Sequence, residues 1–373
     1  MRLATFNVEN LFDRPRIMNL PKWTDGAKVL KDYARLTDLI GQDVYSSSQK
    51  KEMLTIMGRY PGLSSPQKKD STYIRLRDIR GAFLKKPQGK PVEIAAAGRS
   101  SWIGWFELNT DPLSEVATEN TARVVSLLDA DILGIVEAED RTGLKAFNDT
   151  VIKKIGGEPY EHVMLIDGND DRGIDVGIMS RSAFPIVSMR SHVDDQDQDG
   201  TIFSRDCAEY TVTVPGGSSI LVLLNHLKSK GYGSQGKSDD KRLRQAQRIR
   251  EIYTQRRQEG VPYIAIIGDF NDTSDSGPLA PLLQQGSDLR DVSEHPTYQS
   301  NGRPGTHGNG TASSKLDYIL LSPALWATVQ QAGVERRGVW GGKNGTLWPI
   351  LPELTKVEEA ASDHAALWVD LAL

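Results

Sequence analysis

Short apolar runs rich in Ile, Val and Leu recur along the whole chain, and polar residues flank most of them. The runs lie at residues 3–6, 132–136, 176–179, 220–224, 263–267, 318–321 and 365–369. They are too short to be helices, and their composition is typical of strands that are buried on both faces. The chain is therefore predicted to form sheets that are covered on both sides.

Two longer stretches have the apolar periodicity of amphipathic helices. One follows Thr118 and is expected to bury Val124, Val125, Leu127 and Leu128. The other covers residues 241–258, where the arginines are expected to face solvent. Its apolar stripe consists of Leu243, Ala246, Ile249 and Tyr253. Buried strands that alternate with helices predict an α/β protein built from layers of sheets and helices.

Residues 14–109 break this pattern and are predicted to form an insertion after the first strand of a single domain, 1–373. The insertion has helical stretches near 27–40 and 50–57 and an alternating stretch at 73–77, which predicts a β-arm. Three aromatic residues in it, Trp102, Trp105 and Phe106, have basic neighbours. They either form a surface on which bases stack or pack the arm onto the core.

Positive charge is concentrated in two segments, although the whole chain carries a net charge of −4. Residues 68–99 contain nine basic and three acidic side chains, and residues 228–259 contain ten basic and four acidic ones. Such asymmetry is typical of a protein with a local polyanion-binding surface, with solvated basic faces as the alternative.

No apolar stretch is long enough to span a bilayer, so an integral membrane protein is not expected. Met1 and Arg2 run directly into the first strand and leave no room for a signal peptide. The single cysteine, Cys207, excludes an internal disulfide and fits a reducing compartment. These features favour a cytoplasmic location, or a secreted one if a signal peptide has been trimmed.

Polar residues stand at the ends of several predicted strands, where neighbouring strands can bring them into one cleft. The set comprises Asn7, Glu9, Glu137, Asn225, His226, Asp269, Asn271, Asp317, Asp363 and His364. Carboxylate and amide oxygens suit Mg²⁺, and Mn²⁺ accepts the same ligands. Histidines beside carboxylates can position or deprotonate a water. Each residue alone could be an ordinary turn or cap, but the recurrence predicts a metal-assisted phosphoester hydrolase.

The motifs TFNVEN, ADILGIVEAE, NHLKSK, GDFN, KLDYILLS and SDHAALW resemble those of the endonuclease/exonuclease/phosphatase superfamily, in the order of that family. The resemblance spans the chain apart from residues 14–109. It implies a DNase I-like fold, a four-layered α/β/β/α sandwich in which the site lies at one end of two packed sheets.

The resemblance also implies roles for individual residues. Asn7 and Glu137 resemble the metal-binding pair, with Glu9 and Asp363 as further acidic residues near the metal. His226 resembles the histidine that contacts the scissile phosphate. Asp269 resembles the aspartate that orients the attacking water, Asn271 the asparagine that stabilises the pentacovalent phosphorus, and His364 the general acid/base oriented by Asp317. Arg205, Asn225 and Lys228 are predicted substrate contacts, and Val136 replaces the glutamine usual before the metal-binding glutamate.

The superfamily hydrolyses several phosphoesters, so the fold does not select the substrate. The basic segments and the stretch NHLKSKGYGSQGKSDDKRLRQAQRI, which resembles bacterial DNases, favour nucleic acid. The alternative is a phosphatase or phosphodiesterase acting on inositol phosphates, phospholipid head groups or nucleotides. A third interpretation is a binding protein that has kept the fold.

Residues 195–206 match the spacing of a calcium-binding loop, with acids at Asp195, Asp197, Asp199 and Asp206 and with Gly200 at the bend. The flanking residues are predicted strands rather than paired helices, so a solvated hairpin is favoured over a Ca²⁺ site.

Overall fold

The computed structural model describes residues 1–20, 23–170, 172–230, 235–284 and 286–373. Contacts divide these residues into two compact units. The first unit comprises residues 1–12, 113–230 and 235–373, and the second unit comprises residues 13–112. In the described part of the chain, no helix is long and apolar enough to cross a membrane.

The strands, in chain order, are β1 Arg2–Asn7, β2 Asp13–Pro15, β3 Ile74–Arg80, β4 Leu84–Lys85, β5 Glu93–Ile94, β6 Ile103–Leu108, β7 Thr110–Pro112, β8 Ile132–Ala138, β9 His162–Ile166, β10 Asp175–Ser180, β11 Ile186–Arg190, β12 Gln196–Asp197, β13 Gly200–Thr201, β14 Cys207–Thr213, β15 Ser219–His226, β16 Ile264–Asp269, β17 Arg290–Asp291, β18 Tyr298–Gln299, β19 Asp317–Leu321, β20 Val329–Glu335 and β21 Ala366–Leu371. The α-helices are α1 Trp23–Ile40, α2 Ser47–Met57, α3 Glu115–Leu128, α4 Arg141–Ala146, α5 Gln235–Gln258, α6 Ala280–Leu283 and α7 Pro323–Trp326. A π-helix, Phe147–Ile152, continues α4.

Two large sheets form the centre of the first unit. One has the order β18-β20-β21-β1-β8-β10-β9 and the other β11-β14-β15-β16-β19-β17. Their inner faces share one apolar cluster, which includes Ile178 from one sheet and Leu224 and Ile267 from the other. The sheets approach closely at Gly134, where an added Cβ would lie 2.8 Å from the side chains of Leu224 and Ile267. The two sheets therefore pack face to face.

Helices cover the outer face of each sheet. Val124 and Val125 of α3 join Leu133 of β8 in one outer cluster. Ile249 of α5 joins Ile266 of β16 in the other. The order of layers is helix, sheet, sheet, helix, which confirms the predicted four-layered sandwich, and each predicted buried strand is present.

Two details of the predicted helices are wrong. Helix α3 begins before Thr118, because the side chain of Ser114 accepts a hydrogen bond from the backbone of Ala117, and Leu127 is 38% exposed. In α5 the arginines do not all face solvent, since Arg242 is 0% and Arg256 9% exposed. A buried arginine is tolerated when carboxylates meet its guanidinium, and pairing of this kind depends on residues distant in sequence.

The second unit has its own core. Helices α1 and α2 pack with the two-stranded sheets β3-β6 and β4-β5 around a cluster that contains Leu36, Met53 and Phe83. The predicted helices and the alternating β-arm are confirmed. Trp102 and Phe106 are each 3% exposed and belong to this core, whereas Trp105 is 45% exposed. Two of the three aromatic residues are therefore packing residues of the second unit.

Residues 195–206 form a hairpin from β12 and β13. Their carboxylates have separate protein partners: Asp195 accepts from Arg248 at 2.7 Å, Asp197 pairs with Arg244, and Asp206 accepts from the His192 backbone at 2.7 Å. The carboxylates of Asp195 and Asp197 therefore bind the hairpin to arginines of α5.

Candidate active site

The ends of strands from both large sheets meet at one point. Strand β1 is parallel to β8, and β15 is parallel to β16. The amide Nδ2 of Asn7, at the end of β1, donates to Oδ2 of Asp269, at the end of β16, at 3.1 Å. This hydrogen bond joins the two sheets at the edge where the sequence predicts the site.

The backbone is bent sharply where the strands end. Glu9, Glu137 and Asn271 have φ angles of 51°, 69° and 54°, which non-glycine residues adopt rarely. Gly268 has a φ of 125°, and an added Cβ would lie 1.9 Å from the backbone oxygen of Asn225. A positive φ costs about 1–3 kcal/mol for a non-glycine residue such as Glu9, Glu137 or Asn271, and such strained residues cluster at functional sites. Glycine adopts it without this cost.

Asp269 is the best-anchored carboxylate of the site and is 1% exposed. Its Oδ1 accepts from the Asn271 backbone at 2.8 Å, and its Oδ2 accepts from the side chains of Asn271 at 3.2 Å and Asn7 at 3.1 Å. Burial and the neighbouring Asp317 carboxylate raise the pKa of Asp269. A fixed carboxylate with a raised pKa is suited to accept a proton from water.

His364 and Asp317 form a second pair that joins the two sheets, since Asp317 begins β19 and His364 lies just before β21. Nδ1 of His364 lies 2.8 Å from Oδ2 of Asp317, and its Nε2 lies 3.9 Å from Oδ2 of Asp269. Burial lowers the pKa of His364, but Asp317 and Asp269 outweigh this and raise it well above the ordinary value. The raised pKa favours the protonated imidazole, and the contact with Asp317 fixes the orientation of the ring, as a proton donor requires.

The pKa of His226 is shifted in the opposite direction from that of His364, although both side chains are buried. Its Nε2 lies 3.6 Å from Oε1 of Glu137 and 3.7 Å from Oδ2 of Asp269. Burial and the positive charges of Arg205 and Arg172 hold the pKa of His226 well below its ordinary value. The pKa values of the two histidines are therefore shifted in opposite directions, which separates the roles of hydrogen-bond donor and proton donor.

The oxygen-bearing residues predicted to bind metal also lie together. The Glu9 backbone donates to Oδ1 of Asn7 at 3.0 Å, and Oε2 of Glu9 accepts from the Asp363 backbone at 3.0 Å. The side chains of Glu137 and Asp363 are 19% and 46% exposed, so both can be reached from solvent. A set of carboxylate and amide oxygens with partial access to water fits a Mg²⁺ or Mn²⁺ ion.

His307 is a site residue that the sequence analysis missed. Its Nε2 lies 3.1 Å from Oδ2 of Asp363, and its ring centroid is 4.8 Å from that of His364. Ligand atoms of these three residues all lie within 4.8 Å of one another. His307 stands in the loop between β18 and β19, which has no apolar periodicity. Its position in the site depends on contacts with residues that are distant in sequence, among them the β-bridge to His364.

The three predicted substrate contacts lie beside His226, within a cluster of charged groups. The guanidinium of Arg205 is 1% exposed and donates to Asp170 at 3.0 Å and to the Leu227 carbonyl at 3.0 Å. Arg172 pairs with the same aspartate at 2.8 Å. Burial, Arg205 and Arg172 lower the pKa of Lys228 to about 7.

Asn225 is 0% exposed, and its Nδ2 donates to the Leu223 carbonyl. Its Oδ1 has no hydrogen-bond partner among the described residues. The sequence analysis did not identify Asp170 and Arg172, since they lie in a polar loop without a pattern.

Comparison with protein families gives a match to the model described as Endonuclease/Exonuclease/phosphatase family over residues 105–364. The matched range contains Glu137, His226, Asp269 and His364, whereas Asn7 lies outside it. No curated protein matches the sequence.

Two solved structures from Bacteroides thetaiotaomicron are similar to this chain. A mannosyl-6-phosphatase of strain VPI-5482 is 19% identical with a TM-score of 0.51, and the match covers 69% of this chain and 92% of that one. An endonuclease/exonuclease/phosphatase family protein is 19% identical with a TM-score of 0.50, over 68% of this chain and 86% of that one. At this level of identity the likeness concerns the fold alone. The family match covers more than half of the sequence, and the chain therefore belongs to the endonuclease/exonuclease/phosphatase family of phosphoester hydrolases.

Proposed function

We propose that this protein is a metal-dependent nuclease that hydrolyses phosphodiester bonds of nucleic acid, with DNA as the first candidate substrate. The observation that carries the proposal is the convergence of strand ends from both sheets. Asn7 donates a hydrogen bond to Asp269, and the Nε2 atoms of His226 and His364 lie 3.7 and 3.9 Å from Oδ2 of that aspartate. This set contains a base, a proton donor and neutral hydrogen-bond donors, which are the groups that in-line hydrolysis needs.

In the proposed reaction, the oxygen of a water attacks phosphorus and Asp269 accepts the proton that the water loses. The bond from phosphorus to the leaving oxygen breaks, and His364 donates a proton to that oxygen. His226 and the Asn271 amide donate hydrogen bonds to the phosphate oxygens, whose charge grows in the transition state. Asp317 acts through His364 by fixing the orientation of its ring.

Asn7, Glu9, Glu137 and Asp363 are the residues that would hold Mg²⁺, or Mn²⁺ in its place. When bound there, the ion supplies positive charge that neutralises the oxygens of the scissile phosphate. The hydrogen bonds from Glu9 to Asn7 and from Asp363 to Glu9 hold three of these residues in a fixed arrangement.

The distribution of charge supports nucleic acid as the substrate. Residues 13–112 contain 18 Lys and Arg against 11 Asp and Glu, although the whole chain has a net charge of −4. The second unit is therefore basic, while the rest of the chain is acidic. A phosphate backbone is attracted to such a localised positive region.

Plasmid nicking by the purified protein tests the proposal, with Mg²⁺ or Mn²⁺ present and with EDTA as the metal-free arm. The variant Asp269→Ala should lose nicking, and Asp199→Asn, an exposed aspartate of the β12–β13 hairpin, is the matched control that should keep it. Nicking that needs metal and Asp269 supports a nuclease. An intact plasmid and an intact single-stranded oligonucleotide, with turnover of a phosphate monoester or an inositol phosphate, would overturn the nuclease assignment in favour of the phosphatase branch.

A further inference from the structure

The exposed face of the β3-β6 sheet in the second unit is not used by the proposed chemistry. We call it the ribbon face. It consists of Arg75, Arg77, Arg80, Ile103, Trp105 and Glu107, together with the exposed Ile79 in the bulge between Asp78 and Arg80. The opposite face holds Ile74, Leu76, Phe106 and Leu108, which are buried in the core of the second unit.

The ribbon face exposes three large apolar side chains that do not contribute to the core of the second unit. Ile79 is 63%, Ile103 49% and Trp105 45% exposed. Adjacent large apolar side chains on a solvent-facing strand pair are uncommon in soluble domains, and they indicate a surface that binds something. The aromatic ring among them supplies a flat π-surface.

Positive charge borders the aromatic ring. Arg77 is directly opposite Trp105 across the two strands, and Arg80 is opposite Ile103. Glu107 accepts from the Arg77 side chain at 2.6 Å and from the Trp105 indole at 3.3 Å, so one carboxylate holds both side chains in place. The Arg77 side chain keeps 45% exposure despite this ion pair.

The other basic segment of the chain is largely neutralised by its own fold. Most arginines of helix α5 have carboxylate partners in the first unit: Arg242 with Asp239 and Asp272, Arg244 with Asp197, Arg248 with Asp195 and Glu251, and Arg256 with Glu209 and Glu259. In the second unit Arg75 pairs with Asp70 at 3.1 Å and Arg77 with Glu107 at 2.6 Å. Residues 13–112 nevertheless contain 18 Lys and Arg against 11 Asp and Glu, so this unit keeps a net positive charge that can attract a polyanion.

We propose that the ribbon face binds single-stranded nucleic acid, with a base stacked on Trp105 beside Ile103 and with phosphates contacted by Arg75, Arg77 and Arg80. This inference rests on the proposed function and names its substrate class. A single strand offers free base faces for stacking, whereas a duplex hides them. Charge complementarity and the pairing of an aromatic ring with a guanidinium favour a nucleic acid over an uncharged partner.

Fluorescence anisotropy of a labelled single-stranded oligonucleotide tests the inference, with Asp269→Ala as the background so that the strand is not cut. Adding Trp105→Ala should weaken binding roughly tenfold, because each stacked base contributes substantially to affinity. Arg77→Gln should weaken it less and reduce its salt dependence. Val44→Ala, an exposed apolar site of the same unit, is the matched control and should bind as the background does.

Unchanged single-strand affinity in the Trp105→Ala protein would overturn the inference, as would equal affinity for duplex or preferential binding to anionic phospholipid vesicles. Thermal unfolding of each variant shows that a loss of binding is not a loss of fold. Plasmid nicking fails or succeeds independently of these binding results, so a failure of the proposed function is distinguished from a failure of the ribbon face.

Discussion

The two units use charged and polar side chains in different ways. In the first unit Asp269, Asp317 and His364 are buried and each is held by hydrogen bonds to neighbouring strand ends. In the second unit Arg77 and Trp105 lie on an open strand pair and share one carboxylate. Buried groups keep shifted pKa values and fixed geometry, which chemistry needs, whereas exposed groups stay accessible to a large ligand. We therefore expect mutations in the first unit to reduce hydrolysis or stability, and mutations of the ribbon face to reduce binding of the nucleic acid.

Asp317→Asn should give the largest effect, because an amide at this position no longer favours the protonated, oriented form of His364. We expect the rate of hydrolysis to fall by about a factor of 100 to 10,000, as for the loss of an acid–base group. This fall in rate is measured by steady-state kinetics with a small chromogenic phosphodiester. Trp105→Ala should leave that rate unchanged, and a parallel loss in both variants would contradict the division between the units.

Arg256→Met should be the most destabilising of the ion-pair changes. It leaves the Glu209 carboxylate, 4% exposed, without its main partner, which we expect to cost about 3–5 kcal/mol. The equivalent Arg77→Met change removes an exposed pair and should cost less than about 1 kcal/mol. Urea unfolding of both variants provides the comparison. Equal losses would show that burial does not distinguish the two pairs.

Stability should fall in acid through Glu209. Burial raises the pKa of this carboxyl, but hydrogen bonds from Arg256 and His192 outweigh burial and lower it to about 2. A lowered folded-state pKa gives stability that is complete above the unfolded pKa of about 4.5 and is lost as the pH falls toward 2. A shift of this size corresponds to about 3 kcal/mol of stability. Glu209→Gln should flatten the pH dependence of unfolding between pH 5 and 2, and an unchanged slope would contradict the assignment.

Glu137→Gln should raise the concentration of Mg²⁺ needed for half-maximal activity by about 10- to 100-fold, since one carboxylate ligand is lost. Glu107→Gln, a glutamate of the ribbon face, is the matched change in the second unit and should leave the metal requirement unchanged. Calorimetric titration of Mn²⁺ into both variants gives a readout that does not depend on turnover. Equal metal affinity would remove Glu137 from the proposed metal site.

Much of this architecture is predictable from sequence because it depends on patterns of neighbouring residues. The buried strands have continuous apolar runs, and the polar residues from Asn7 to His364 stand directly beside them. Arg242 and Leu127 were predicted wrongly, because their exposure depends on partners that are distant in sequence. His307 and Asp170 were missed for a related reason: each lies in a loop, and its place is set by a contact with a residue distant in sequence, His364 for His307 and Arg205 for Asp170.

The assignment of the hydrolytic site and of the ribbon face is tested most directly by comparing the turnover of two substrates by the wild type and three variants. Values of kcat/KM for a single-stranded oligonucleotide and for a small chromogenic phosphodiester should be measured with the wild type, Asp269→Ala, Trp105→Ala and the double variant. Asp269→Ala should abolish turnover of both substrates, whereas Trp105→Ala should lower kcat/KM only for the oligonucleotide. Turnover of the oligonucleotide that survives Asp269→Ala would contradict the central claim that the strand-end cluster is the hydrolytic site.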